Sequence, residues 1–376
     1  MSVSAKVALV IDALPAIGGA EKVLMDIMEL FPEAPIYSLI FNRDNFRNTP
    51  LAERRVETSF IERLPSAAKR YRMYFPLMPH AIQSFDLRGY DVILSLSYAV
   101  AHGVRVQSGQ THLSYTMTPL RYAWNTVSLD GRFSLFRHLS GPLFNWFCKW
   151  DVKAAARVDR FAAISEWIAQ RSREAYQRES AVIYPPVDID RFSPERYRGD
   201  YYITVSRLVA HKQVDLIVKA FNCLGLPLVV VGEGSYRSRL QSQAGANIHF
   251  LGFQAEEMVA CLLNRARGYV CAAEEDFGIA VVEAQAAGCP VIALRKGGAL
   301  ETVEEGQTGM FFDEADVECL ATTISEFERC RGMFDPGQIA KHARRFGKDR
   351  FLVEFFQFYG GMQAYEYIDK GVFNLV

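Results

Sequence analysis

Short, nearly continuous apolar runs recur along this chain, with turns and helically spaced segments between them. Residues 6–11 (Lys-Val-Ala-Leu-Val-Ile) are the first such run. A strand that is apolar at successive positions must be covered on both faces, as in the interior of a parallel sheet. After the Gly18-Gly19-Ala20-Glu21 turn, Val23, Leu24, Ile27, Met28 and Phe31 follow helical spacing. Further strand runs fall at 34–41, 90–96, 111–116 and 160–164, and Ser165 is placed to cap the helix after the last of them. This alternation predicts an α/β fold, a doubly wound parallel sheet with helices on both faces.

A chain of 376 residues exceeds what one such core ordinarily holds. The stretch Val182-Ile183-Tyr184-Pro185-Pro186-Val187-Asp188 is extended and stiffened by proline, and Pro194 marks its far side. Beyond it the pattern restarts, with strands at 201–206, 226–231, 247–251, 268–271 and 290–294 and a helix at 214–224. The expected organisation is two Rossmann-like lobes, residues 1–184 and 198–345, joined by a linker at 185–197 and separated by a cleft. Residues 132–158 read as an aromatic helical segment. Residues 346–376 form an aromatic helical crossover expected to pack back across the lobes.

Charge and cysteine content narrow the functions. A formal charge of -1 gives no case for nucleic acid as a partner. Seven scattered cysteines include no Cys-x-x-Cys pair, which argues for a reducing compartment and against a zinc site. No leader and no apolar stretch of spanning length is legible, so a cytoplasmic protein is expected, with any membrane met at its surface. One segment suits such contact. Residues 43–75 carry eight cations (Arg43, Arg47, Arg54, Arg55, Arg63, Lys69, Arg70 and Arg72) against four carboxylates, and aromatics follow at Tyr71, Tyr74 and Phe75. A solvated face is the plainer reading of the same residues.

The chemistry concentrates in residues 268–288. A short apolar strand ends at Cys271, a loop carries Glu275, and from about Gly278 a helix begins that is apolar nearly all round except for Glu283. The loop-to-helix turn offers free N–H groups and the positive end of a helix dipole, which suit a phosphate. Arg207 and Lys212 follow the first strand of the second lobe, at the carboxyl edge where open α/β sheets bind ligands. Arg holds phosphate oxygens with a fork and Lys with a point charge, whereas carboxylates accept hydrogen bonds from sugar hydroxyls. Two cations, a helix start and two carboxylates together suit a nucleotide sugar. In the first lobe His102, His112 and Arg121 lie near strand ends and are candidates on the acceptor side.

Glu275 and Glu283, with seven residues between them that include Phe277-Gly278, resemble the E-x7-E signature of the retaining glycosyltransferases of family 4, which have the GT-B fold. The resemblance extends over nearly the whole chain. It includes Gly18-Gly19-Ala20-Glu21, Tyr184-Pro185-Pro186-Val187-Asp188, Ser206-Arg207-Leu208 with Lys212, Gly232-Glu233-Gly234, and Gly297-Gly298 with Glu301. The first half, through Met117-Thr118-Pro119-Leu120-Arg121-Tyr122-Ala123-Trp124, is similar to bacterial O-antigen and exopolysaccharide enzymes, many of them mannosyltransferases.

The resemblance implies that Arg207 and Lys212 hold the donor diphosphate, Glu283 the ribose hydroxyls, and Glu275 the transferred sugar. Phe277, Gly278 and Ile279 would lend backbone amides, Gly18 and Gly19 would face the diphosphate and the acceptor, and backbone near Gly252 and Phe253 would set the base. It implies no cofactor and no bound metal. The partners it implies are a nucleotide-sugar donor, GDP-mannose as first choice, and a lipid-linked saccharide acceptor at the inner face of a bacterial membrane. This chain has Ile11, Tyr98 and Met117 where such relatives often carry histidine. A non-catalytic nucleotide-sugar-binding subunit of the same fold is the alternative; an oxidoreductase is disfavoured by the missing G-x-G-x-x-G.

Overall fold

The computed structural model describes residues 5–120, 124, 141–195 and 198–360. Its contacts divide the chain into two compact units, one running to Tyr184 and resuming at Phe351, the other Pro185–Arg350.

The first unit is built on seven strands: β1 Val7–Ile11, β2 Ile36–Ser38, β3 Val56–Thr58, β4 Val92–Ser97, β5 Thr111–Thr116, β6 Arg160–Ala163 and β7 Ser180–Val182. They lie side by side in the order β3-β2-β1-β4-β5-β6-β7, every pair parallel. β1 is buried along its full length, as its apolar run requires. The Gly19–Leu30 helix buries Val23, Leu24, Ile27 and Met28 on one stripe. Ser165 caps the Glu166–Tyr176 helix by accepting from the Ile168 N–H at 3.1 Å. From the chain's end, Phe351 and Phe355 pack against the buried Tyr115 of β5. Helix is described over Gly141–Ala155; the rest of the expected aromatic helix before it lies outside the described residues.

The second unit has six strands: β8 Tyr202–Val205, β9 Leu228–Val231, β10 Ile248–Gly252, β11 Gly268–Cys271, β12 Val291–Leu294 and β13 Gly309–Phe312. Their order is β10-β9-β8-β11-β12-β13, again all parallel. Two helices illustrate why the sequence folds this way. Val214–Leu224 buries Leu216, Ile217, Val218, Ala220 and Phe221 and ends on Gly225 with φ 66°. Val317–Cys330 buries Leu320, Thr323, Ile324 and Phe327, and Asp316 caps it through the Cys319 N–H at 2.8 Å. Each large side chain so buried contributes about 1.5–3 kcal/mol relative to exposure.

Several details differ from the sequence reading. β3 lies inside the basic stretch 43–75, and neither it nor β7 and β13 were anticipated. The aromatic tail is described as the helix Lys348–Gly360, and a separate helix, Pro336–Ala343, precedes it with Phe346-Gly347 between them. There the Val187 N–H donates to the Phe346 carbonyl at 3.0 Å, so residues 187–193 of the expected linker are docked within the second unit. Arg54, counted among the surface cations, instead donates to the carbonyls of Phe31 and Ala34 at 2.7 and 2.9 Å at the end of the first helix.

Candidate functional site

In each sheet the strand order reverses once, between β1 and β4 in the first unit and between β8 and β11 in the second. Such a switch point opens a crevice at the strands' carboxyl ends, because the two following loops leave in opposite directions. In the second unit those loops are 206–213, with Arg207 and Lys212, and 272–278, with Glu275.

The loop after β8 is held by its neighbours. The Ser206 N–H donates to Val231 O at 3.1 Å, Leu208 N–H to Glu233 O at 2.9 Å, and Gly232 N–H to Gly252 O at 2.8 Å. A Cβ on Gly232 would lie 1.9 Å from the Ser206 carbonyl oxygen, so only glycine lets the loops after β8 and β9 touch. This contact locks the backbone that carries Arg207. The loop after β11 is locked by the Gly297-Gly298 turn. Glu275 forms an isolated parallel bridge with Gly297, and the Gly298 N–H donates to Glu275 O at 2.8 Å. Phe277 is buried edge-to-face against Phe346 at 5.5 Å. Gly278, with φ 92°, turns the chain into the Ile279–Ala286 helix.

The two loops meet side chain to side chain. Lys212 Nζ donates to both oxygens of Glu275, at 2.7 and 2.6 Å, with the two side chains 17% and 20% exposed. Burial pushes the Glu275 carboxyl up, but Lys212, aided by His211 and Arg207, outweighs it and holds the group below the usual carboxylate range. Arg207, His211 and Lys212 therefore all bear on Glu275. Glu283 is almost fully buried, and it also bears on the site: burial first, then the fields of Cys271, Glu275 and Glu283, push the Tyr269 phenol well up. That phenol donates to Val205 O at 3.2 Å, next to the Arg207 loop. Burial, with Glu275 beside it, raises the Cys271 thiol to about 12, so it stays protonated and unreactive. Phe253, just past β10, is 78% exposed beside Gly252.

Two acceptor-side candidates lie in the core of the first unit. His112 sits at the amino end of β5, away from the carboxyl edge, and is fully buried with Nε2 3.0 Å from Ser95 Oγ. Burial lowers its pKa to about 3. His102 follows β4 but is 1% exposed, with Nδ1 2.8 Å from Ser97 Oγ and Nε2 2.9 Å from Asp151. Asp151 also accepts from Trp124 and Tyr176 at 2.7 and 2.9 Å, which makes this a core network. Arg121 lies outside the described residues. Gly18 and Gly19 open the first helix of the first unit.

Two residues were missed by sequence reasoning. Arg191, in the expected linker, pairs with Glu283 and reaches Glu256 at 2.5 Å. Asp12, after β1, is 1% exposed and accepts from the N–H groups of Tyr98, Ala99, Val100 and Ala101 at 2.6, 2.9, 2.5 and 2.7 Å. It thereby ties together the two loops at the first unit's switch point. Its signal was a lone acidic residue ending an apolar strand. Among the described residues no group of three or more His, Cys, Asp or Glu is arranged to hold a metal ion.

Residues 17–191 match the family described as Glycosyltransferase Family 4, and residues 188–349 match Glycosyl transferases group 1. The chain belongs to the glycosyltransferases of family 4 and has their GT-B fold. A GDP-mannose-dependent alpha-(1-6)-phosphatidylinositol monomannoside mannosyltransferase of Mycolicibacterium smegmatis is 34% identical over 202 residues, 45% of this chain and 53% of that protein. A GDP-mannose-dependent monoacylated alpha-(1-6)-phosphatidylinositol monomannoside mannosyltransferase of Corynebacterium glutamicum is 31% identical over 207 residues, 46% of this chain and 54% of that protein. The match thus spans about half the length of these curated relatives. Among solved structures, the Anabaena HepE protein crystallised with UDP and glucose superposes with a TM-score of 0.67 at 20% identity, covering 96% of this chain and 100% of that one.

Proposed function

We propose that this protein is a retaining, metal-independent glycosyltransferase that moves a hexose, mannose from GDP-mannose, onto a lipid-linked saccharide in bacterial surface polysaccharide synthesis. The observation that carries the reading is the Lys212–Glu275 contact at the second unit's switch point, with Arg207 bearing on the same carboxylate. The cation is taken as the phosphate seat and the carboxylate as the sugar seat. The mannosyltransferase relatives, whose names specify GDP-mannose and a glycolipid, support the donor and the lipid acceptor.

In this reading Arg207 and Lys212 hold the diphosphate, Glu275 accepts from hydroxyls of the transferred sugar, and Glu283 from the ribose. The amides of Phe277, Gly278 and Ile279 lie at the start of a helix and add donors for the phosphates. Gly252 and Phe253 flank the base. As the glycosidic bond breaks on a path resembling an oxocarbenium ion, negative charge grows on the leaving diphosphate. Arg207 and Lys212 stabilise that charge more in the transition state than in the bound donor, which is the condition for catalysis. The leaving phosphate oxygen takes the proton of the acceptor hydroxyl, which enters from the same face.

Turnover across a panel of nucleotide sugars tests this. GDP-mannose is expected to be used, and Lys212→Ala or Glu275→Ala to lower kcat/KM by about 2–4 kcal/mol in transition-state terms. Binding of no donor, or normal transfer by both variants, contradicts the assignment. Donor binding without turnover under any acceptor supports the non-catalytic subunit instead.

A cytoplasmic protein peripheral on the inner face of the membrane fits the first unit's surface. No helix among the described residues is long and apolar enough to cross a membrane. Exposed Lys69, Arg70 and Arg72 adjoin Met73, 66% exposed, and Leu77, 42% exposed. Phe75 of this segment stacks on Phe147 at 4.0 Å, which brings up the half-exposed Trp146. Flotation with anionic liposomes is expected and should be lost when the three cations are replaced by Gln; retention would show that another surface binds.

A further inference from the structure

We propose that Arg191 is a positioning residue of the donor site: it fixes the Glu283 carboxylate so that its oxygens receive the ribose diol of the nucleotide. The inference rests on the assignment of Glu283 to the ribose made above.

Glu283 stands on the Ile279–Ala286 helix among buried Val281, Val282, Ala284, Gln285 and Ala286. Its flexible side chain has several rotamers, of which only some aim the oxygens at a diol. Arg191 selects among them. Its guanidinium spans two helices, one nitrogen paired with Glu283 Oε1 and another 2.5 Å from Glu256 Oε2 on the Glu256–Arg265 helix. It also lies over the Phe192 ring at 4.8 Å.

The backbone carrying Arg191 is fixed on both sides. Val187 is bridged to Gly347, Phe192 is buried at 6%, and the Ser193 N–H donates to Asn264 Oδ1 at 3.2 Å. The planar fork is thus held through two nitrogens and over one ring face, which a Lys ammonium on a flexible stem does not reproduce. A carboxylate has about four acceptor sites, so one guanidinium N–H and a diol are compatible partners of the same group.

Arg191 is itself a poor phosphate seat. It lines a cleft of about 350 Å³ together with Asp188, Glu195, Glu256 and Glu257, whose four carboxylates repel an anion. Its chemistry is therefore directed at Glu283. The exposures grade outward, 11% for the Glu283 side chain, 17% for Arg191 and 53% for Glu256, with the guanidinium between a buried carboxylate and a solvated one.

Calorimetric titration with GDP and with its 2′,3′-dideoxy analogue separates this role from general support. The wild type is expected to prefer the ribo form by roughly 10- to 100-fold, the range of hydrogen bonds to a charged group. Glu283→Gln and Arg191→Met should both reduce that preference to nearly none, while affinity for the dideoxy nucleotide changes by no more than about twofold. Arg191→Lys should keep part of the preference; it carries the test alone if Arg191→Met fails to fold, and an unchanged preference in it overturns the proposal. A wild-type preference in Arg191→Met overturns it, as does an equal loss of both nucleotides, which would mark a merely structural role. If Glu283→Gln itself keeps the preference, the ribose assignment fails, and this inference with it.

Discussion

His112 is a fully buried imidazole at the amino end of β5. Ser95 takes its Nε2, and the surrounding strands exclude water, so the ring stays neutral with a pKa lowered to about 3 by burial. Unfolded, a histidine titrates near 6.5. Because the folded value is the lower one, this group's contribution is intact above about pH 6.5. It is lost as pH falls toward 3, at about 1.4 kcal/mol per pH unit for the one proton taken up on unfolding. All four tryptophans, Trp124, Trp146, Trp150 and Trp167, belong to the first unit, so their fluorescence follows that unit in denaturant. The unfolding midpoint of His112→Gln is expected to fall less steeply than that of wild type between pH 6 and 4; equal slopes would show that His112 titrates normally in the fold. The same scale separates Glu275 from Glu283. Lys212 pairs with the first and Arg191 with the second, so each carboxylate has its own cation.

At the scale of elements, the site depends on turns that hold two loops at one sheet edge. A Cβ on Gly298 would lie 2.4 Å from Phe277 Cα, and one on Gly297, where φ is 65°, 2.4 Å from Glu275 O. Both obstacles are backbone, so the loop bearing Glu275 must move. Gly298→Ala is expected to cost about 1–3 kcal/mol of stability. A displacement of about 1 Å should also lower kcat/KM by roughly 10²-fold. Gly332→Ala, with nothing within 4 Å of the added methyl, is the control and should stay within about 0.5 kcal/mol of wild type. The elements also show what a sequence can and cannot disclose. Doubly apolar strands such as β1, β11 and β12 were legible because burial on both faces leaves no polar alternation. β3 was not, since Val56, Glu57 and Thr58 are all half-buried at a sheet edge among charged neighbours. The spacing of Glu275 and Glu283 was legible because both lie on one loop-helix unit. Their cations were legible only in part. Lys212 follows a strand end, but Arg191 reaches Glu283 across 92 positions from a stretch whose prolines resemble a linker. His112 was misread because proximity to a strand end does not say which end.

At the scale of the molecule, the chain builds the same device twice, a parallel sheet with one reversal of strand order, and equips the two switch points differently. In the first unit a buried Asp12 caps the loop after β4 through four N–H groups. In the second, Lys212 and Glu275 meet at the edge, with Arg207 bearing on the same carboxylate. In the proposed function the second switch point is where a nucleotide sugar binds. Hydrogen exchange of the protein with and without GDP tests this directly. Protection of backbone amides is expected at 206–212, 232–234, 252–253 and 275–283, with the first slowing at Phe277, Gly278 and Ile279. Protection confined to other segments, or none at nucleotide concentrations that support turnover, would contradict it.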